Sequence, residues 1–409
     1  MQLLNVDTLE TAQKKVIDFL KESPLFTQSK QITDVLGDVL AHDVYSPSTV
    51  PPFSRSTVDG YALIAENIQA AEAGAPVLLN LIDTVEMGQA TSLTLCDGDC
   101  VYVPTGGMLP SNANAVVMVE HCESFTPSCI AIYQAVAFGD NTIQRGEDFQ
   151  QGELLLPHGT QLNAGEIAIL AAAGIESVEV YKPLCVSVFS TGDELISPGQ
   201  TLAPGEIYDI NTYSISALVK KSHMTLIRSK VLQDKPETIR LALKSAMSDS
   251  DIVLISGGSS QGKKDWTAQL LSELADEGVC THGLALKPGK PTILAHDKDS
   301  KTLFIGLPGH PTAAMLVFKL LVEHGLRSLF GTPNSVSVPA IVNRNLASDA
   351  GKKTCIFCNL VLHGDSYIAE PLFGKSGLIT VITKAKGFFM IDQNAEGVRK
   401  GAQVMVHLL

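Results

Sequence analysis

The apolar positions in the middle of the chain gather into three short, mostly apolar runs, each stopped by a glycine-bearing loop and followed by a helical pattern. They are CVSVFSTGDEL at 185–195, DIVLISGGSSQG at 251–262 and TLFIGLPGHPTAAM at 302–315. A mostly apolar run of this length, ended by a glycine turn, reads as a buried strand. Three strand–loop–helix units predict a parallel α/β sheet whose loops open on one edge. Ligands of such sheets bind outside the carboxyl ends of the strands. The loops carry Asp193, Glu194, Ser256, Gly257, Gly258 and, just beyond, Asp265. Glycines let backbone N–H groups approach phosphate oxygens, and carboxylates hold Mg2+ through a few oxygens. A phosphorylated ligand held with a divalent cation suits that mixture. One Gly-Gly pair alone usually makes only a turn; three such loops on one edge point to a site.

The pattern changes on either side. Residues 8–22 put Leu9, Val16, Phe19 and Leu20 on one side of an amphipathic helix. Near residue 47 the chain becomes dense in Pro and Ser, which favours an extended connection. From about 50 to 145, short strand-like runs such as APVLLNLI and AVVMVEH alternate with turn signals, and Asp97-Gly98 predicts a hairpin between the runs beside it. Asn163 and Glu166 form a helix-start pair, Gly174 a stop, and the small apolar AGEIAILAAA between them predicts a packed helix. Further helices are NTYSISALVKKS, starting at an Asn211 cap, and DKPETIRLALKSAMS. Strand patterns return after residue 331. The division expected is an N-terminal linker domain of 1–50 and 146–180, an inserted β-rich domain of 51–145, an α/β domain of 181–330 and a C-terminal β-barrel domain of 331–409.

Charge narrows the partners. Thirty Lys plus Arg against 43 Asp plus Glu give a net charge of −13, a poor balance for nucleic acid or anionic membranes. An anionic substrate needs local basic residues or a metal. No run approaches the roughly 20 apolar residues of a membrane span, and no charged-then-apolar signal segment opens the chain, so a cytoplasmic protein is expected. The eight cysteines are scattered. Cys355 and Cys358 have metal-like spacing, but on a strand they point to opposite faces, so ordinary reduced thiols are expected.

The loops also carry a resemblance. GDVLAHDV at 37–44, PPFSRSTVDGYAL at 51–63, PTGGMLPSNANAVVMVE at 104–120, RGEDF at 145–149, STGDEL at 190–195, IYDIN at 207–211, SGGSSQGKKDW at 256–266, LKPGKP at 286–291 and GLPGHP at 306–311 follow one another. In that order the chain resembles the MoeA family of molybdopterin molybdenumtransferases, which includes the E domain of gephyrin. The resemblance implies an elongated homodimer whose α/β domain binds molybdopterin. It implies molybdate and adenylylated molybdopterin as substrates, release of AMP, assistance by Mg2+, and a possible partner in a molybdopterin adenylyltransferase.

Each candidate residue has a plainer alternative. Glu194 matches the family's acidic site residue, as catalytic group or Mg2+ ligand; Asp193 beside it suits helix capping equally well. Asp234 opens DKPE, a helix-start signature, yet also matches a family metal position. Asp265 could cap the next helix or hold a cation beside the phosphate. Lys287 and Lys290 flank Pro288-Gly289 as a compact positive patch in an acidic chain, whose simplest use is an anion. Pro308 and Pro311 bracket a stiff turn able to line a pocket, with His310 where the family usually has Asn. Asp59, Asp148 and Ser376 match family site positions; a turn or surface loop is the other reading of each. The resemblance implies that the region of Asp59 reaches the other subunit's site.

Besides His310, the chain departs from the family pattern at four places. TVDG replaces AMDG, Ser259 replaces Val, and Ile143 and Gly283 stand where basic residues are common. Each lost charge-assisted hydrogen bond costs about 1.5–3 kcal/mol, so two would weaken oxyanion binding roughly a hundredfold or more. Three functions therefore compete: an active molybdenum insertase, a weakened homologue serving as pterin-binding or assembly scaffold, and a phosphotransferase or nucleotide-binding enzyme on a doubly wound sheet. The chain contains no GxxxxGK[ST] to support a P-loop.

Overall fold

The computed structural model describes residues 6–257, 266–332, 336–374, 377 and 379–409. Helix α1 (Leu9–Glu22) starts where Thr11 N–H donates to Thr8 Oγ1 at 3.2 Å. It buries Leu9, Ala12, Val16, Phe19 and Leu20, at about 1.5–3 kcal/mol for each large apolar side chain. That face does not join residues 146–180. It enters the same core as Leu254, Ile305 and Leu321 of the α/β unit.

Residues 27–45 and 154–181 come together through two short antiparallel pairings, Thr27–Gln31 with Ser177–Tyr181 and Val44–Tyr45 with Leu154–Leu156. Helix α2 (Ala164–Ala172) begins as its sequence predicts: Asn163 N–H donates to Glu166 Oε2 at 2.9 Å. Its packing is thinner than predicted. Leu170 is its only buried residue, and Ala164, Ala168, Ala171 and Ala172 are exposed.

Residues 60–132 form a six-stranded sheet with apolar clusters around Leu63 and Val117 and around Ala62 and Val116. The hairpin predicted at Asp97-Gly98 is not made. The turn exists, but Asp99–Val103 pairs with Gly60–Leu63 and Val77–Thr84, while the run before the turn supplies one isolated bridge, Thr94 to Ser111. Cys100, Val101 and Val103 are fully buried, so this is a central strand whose two edges are taken by distant partners. Burial outweighed the local turn signal.

The second six-stranded sheet is the α/β unit. Its strands are β1 (Cys185–Thr191), β2 (Thr225–Leu232), β3 (Ile252–Ser256), β4 (Val279–His282), β5 (Ile293–Asp297) and β6 (Thr302–Leu307), in the order β2-β1-β3-β6-β5-β4. The three glycine-stopped runs lie side by side in parallel at its centre, as predicted. The far edge differs: β5 and β4 run antiparallel. Only residues 298–301 join β5 to β6, too few for a crossover.

Helices α3 (Asn211–Lys221), α4 (Pro236–Met247), α5 (Trp266–Leu274), α6 (Pro311–Val317) and α7 (His324–Phe330) flank this sheet, with a π-helical turn at Phe318–Glu323 joining the last two. Asn211 is not the cap of α3. Thr212 N–H donates to Asp209 Oδ1 at 3.2 Å, and Asn211 Nδ2 instead donates to Gly309 O at 2.9 Å.

At the C-terminus, strands at 337–342, 353–363, 366–371, 387–391 and 403–408 close on one another as a barrel. A sixth strand, Leu286–Lys287, is lent by the α/β unit and runs parallel to Lys353–Thr354. Cys355 packs toward the α/β core and Cys358 into the barrel core, on opposite faces as expected. Among the described residues no helix is long and apolar enough to cross a membrane.

Candidate functional site

A cavity of about 850 Å3 lies between the carboxyl edge of the α/β sheet and the barrel. That volume is within the range of small-molecule sites, about 300–1,000 Å3. The sheet supplies Gly257 after β3, the turn from Lys287 to Pro291, and Pro308, Gly309 and His310 after β6. The barrel supplies Asp349, Lys352, Ile356, Phe357, Leu372 and Phe373.

The sheet wall is set by backbone. Gly257 has φ +100°, and a Cβ there would stand 2.3 Å from Thr191 O, so only glycine fits. Beneath it runs a buried polar network. Ser256 and Ser190 share a hydrogen bond of 3.0 Å between their hydroxyls, and Thr212 Oγ1 donates to Ser190 Oγ at 2.7 Å. The Ser256 side chain is therefore spent on supporting the edge. Thr191 Oγ1, Asp209 Oδ2 and Asn211 Oδ1 are buried there without a hydrogen-bond partner among the described residues.

The barrel wall is set by side chains. Lys287 Nζ donates to Asp349 Oδ2 at 2.9 Å, and Lys352 Nζ stands 3.7 Å from the same oxygen. The Lys287 hydrogen bond first, then the charges of Lys287 and Lys352, hold the Asp349 carboxyl below its ordinary range. Phe373 is 65% exposed on this wall, with the Arg344 guanidinium 5.2 Å from its ring centroid.

Of the residues singled out in the sequence as site candidates, the cavity gathers Gly257, Lys287, Lys290, Pro308 and His310. Pro311 opens α6 and does not line it. Glu194 is exposed in the loop after β1, its carboxylate folded over Gly192. Asp234 N–H donates to Asp193 Oδ1 at 3.0 Å, so Asp193 ties the loops after β1 and β2 together at the same sheet edge. Asp59 is held in the β-rich sheet by Thr105, whose N–H and Oγ1 donate to its Oδ1 at 2.6 and 2.9 Å. Those two bonds keep its carboxyl below the ordinary range. Asp148 is exposed, with its N–H bonded to Val50 O at 3.2 Å. Glu194, Asp234, Asp59 and Asp148 are not among the cavity's lining residues. Gly258, Asp265 and Ser376 lie outside the described residues. Among the described residues, no group of three or more His, Cys, Asp or Glu converges as a metal site.

The sequence reading missed Asp349, Lys352 and Phe373. Asp349 and Lys352 sit in SDAGKKT, which reads as a plain turn, and meet Lys287 only because Leu286–Lys287 pairs with Lys353–Thr354. The one local signal was an aromatic residue, Phe373, directly before Gly374 in a turn-like stretch.

Comparison with known proteins covers nearly the whole chain. Residues 7–174 match the MoeA N-terminal region (domain I and II), 187–328 the probable molybdopterin binding domain and 339–409 the MoeA C-terminal region (domain IV). The chain is 32% identical to a putative molybdopterin biosynthesis protein of Methanocaldococcus jannaschii, over 99% of this chain and 98% of that one. It is 30% identical to the molybdopterin molybdenumtransferase of Haemophilus influenzae, over 98% and 99%. A solved molybdopterin biosynthesis MoeA protein of Pyrococcus horikoshii superposes with a TM-score of 0.79 at 36% identity, covering 98% of this chain and 99% of that one.

Proposed function

The chain belongs to the MoeA family of molybdopterin molybdenumtransferases, and from that membership we propose how its cavity serves the reaction. The enzyme acts in molybdenum cofactor biosynthesis: molybdate is placed on the pterin of adenylylated molybdopterin, and AMP leaves. The observation that carries our reading is the cavity itself, where lysines in a chain of net charge −13 gather beside the Gly257 loop.

Both substrates are anionic. Lys287, Lys290 and Lys352 supply the charge to hold phosphate and oxyanion at the turn side. The Gly257 backbone permits close approach from the sheet side. Ile356, Phe357 and Leu372 exclude water, which strengthens those charge interactions. Phe373 offers an open ring face to a flat heterocycle.

Magnesium fits the sheet edge. The Asp193–Asp234 bond draws two acidic loops together beside Glu194, and Thr191 Oγ1, next to Gly257, is a buried hard oxygen without a hydrogen-bond partner among the described residues. Mg2+ is usually held by one or two carboxylates, leaving the rest of its shell to water and phosphates. Glu194 and Asp234 are the residues that would hold it, and when bound it would neutralise phosphate charge.

Asp59 and Asp148 sit exposed outside their own chain's cavity. We infer that the protein is a homodimer in which residues 51–145 of one protomer complete the cavity of its partner. Thr105 already fixes the Asp59 carboxylate for that purpose. A cytoplasmic location and delivery of the pterin by an adenylyltransferase accompany this reading.

The scaffold alternative draws on Ile143 and Gly283. Gly283 has φ +111°, accepts a hydrogen bond from Asp7 N–H at 3.0 Å and donates to Thr292 O at 2.8 Å. Its glycine is accounted for by backbone. Ile143 pairs directly across from Arg55, which keeps a cation on that strand pair. The deciding experiment is complementation of a strain that lacks molybdenum insertion, scored by a molybdoenzyme. Restored activity is the expected result. A folded, AMP-binding protein that restores none would favour the scaffold.

A further inference from the structure

Part of the positive charge in the cavity, that of Lys287 and Lys352, already has a partner. Lys287 Nζ lies 2.9 Å and Lys352 Nζ 3.7 Å from the same oxygen of Asp349. The three side chains come from two parts of the molecule: Lys287 rides on the strand that the α/β unit lends to the barrel, while Asp349 and Lys352 precede its partner strand. All three line the cavity. Two ammonium groups converging on one carboxylate oxygen form a charge pattern that a phosphate or a tetrahedral oxyanion can complete.

We propose that Asp349 is an internal competitor, a carboxylate that occupies Lys287 until a dianionic ligand displaces it, and so a residue that selects dianions over monoanions. The proposal rests on the anion-handling reading of this cavity. With Asp349 in place, Lys287 and Lys352 together carry one net positive charge. A monoanion that displaces Asp349 only exchanges one single charge for another and gains little. A dianion meets both lysines with twice the charge and gains from each. The exchange is cheap because Lys287, Asp349 and Lys352 are 56%, 58% and 43% exposed, and such pairs are weak and screened by salt.

The test is calorimetric titration of AMP, whose phosphate is a dianion, into the full chain at low salt. Wild type is compared with Asp349→Asn, Lys287→Met and the double variant. Asp349→Asn is expected to bind AMP about two- to fivefold tighter, the range of an exposed ion pair. Acetate is expected to compete with AMP in Asp349→Asn and not in wild type. The gain from Asp349→Asn is expected to vanish in the Lys287→Met background, because Asp349 acts through Lys287, and to shrink as salt rises. Equal AMP affinity in wild type and Asp349→Asn would overturn the proposal. So would a gain of full size without Lys287, which would mark a bulk charge effect. If Lys287→Met alone still weakens AMP binding, the reading of the cavity as an anion site survives either failure. Equal binding by all four proteins would overturn both.

Discussion

The two walls of the cavity are built from different material. The sheet wall is made of turns at the ends of buried strands: Ile255 and Gly257's neighbour Ser256 on β3, and Leu307 on β6, are nearly or fully buried. The barrel wall presents exposed side chains, Asp349, Lys352 and Phe373, on short loops between strands. Close packing below the sheet edge leaves no room for adjustment, whereas exposed charged chains can re-pair on ligand arrival. The difference assigns shape to one wall and charge balance to the other.

That assignment can be broken most directly at Gly257. A side chain there meets Thr191 O and carries a left-handed φ, so Gly257→Val is expected to abolish AMP release, by at least a hundredfold, and to lower the melting temperature by several degrees. Retained turnover in a stable Gly257→Val protein would mean that the sheet wall is adjustable after all. Glu194→Gln comes next. Glu194 is exposed and removing its charge leaves the fold alone, so Mg2+-dependent AMP release should fall about tenfold or more, while Asp234→Asn, measured in the same assay, should do less harm. An unchanged rate for Glu194→Gln would take it out of the site.

Smaller effects are expected on the barrel wall. Phe373→Ala should raise the KM for adenylylated molybdopterin about three- to tenfold with little change in kcat, the order of one lost stacking contact. A fall in kcat alone would place Phe373 nearer the chemistry than a wall residue should be. The smallest expected effect is on stability against pH. The Asp349 carboxyl is lowered from 3.8, so the Lys287–Asp349 contribution is present above 3.8 and lost as pH falls through the depressed value. Thermal melts of wild type and Asp349→Asn should differ slightly at neutral pH and converge in strong acid. Separately, Gly283→Lys should cost stability through its φ of +111° and the Val6 side chain 3.3 Å from a new Cβ, which leaves Ile143→Arg as the clean way to restore a family charge.

How much of this was legible in the chain follows from the range of the interactions involved. The three glycine-stopped strands could be read because burial on both faces is written in consecutive residues. The start of α2 could be read because Asn163 and Glu166 are three residues apart. The Asp97-Gly98 hairpin failed because the strand after the turn found partners at 60–63 and 77–84. The cap of α3 was misread because Asn211 is already the first residue of the helix and its side chain is drawn to Gly309, about a hundred positions away. The antiparallel edge of the sheet was written in the shortness of 298–301. The barrel wall could not be read: Asp349 and Lys352 reach Lys287 only through the two-residue strand at 286–287, which carries no periodic signal of its own.

Cys355 gives the cavity a property that neither wall explains. It lines the space, yet burial pushes its thiol up to about 12, so at neutral pH the sulfur keeps its proton. The thiolate is the form that binds soft metals. In the function proposed, the metal is bound for the pterin, and a protein thiolate in the same chamber would be a rival acceptor. A protonated Cys355 is a silent bystander: it fills volume as a small hydrophobe and leaves the cargo with one destination.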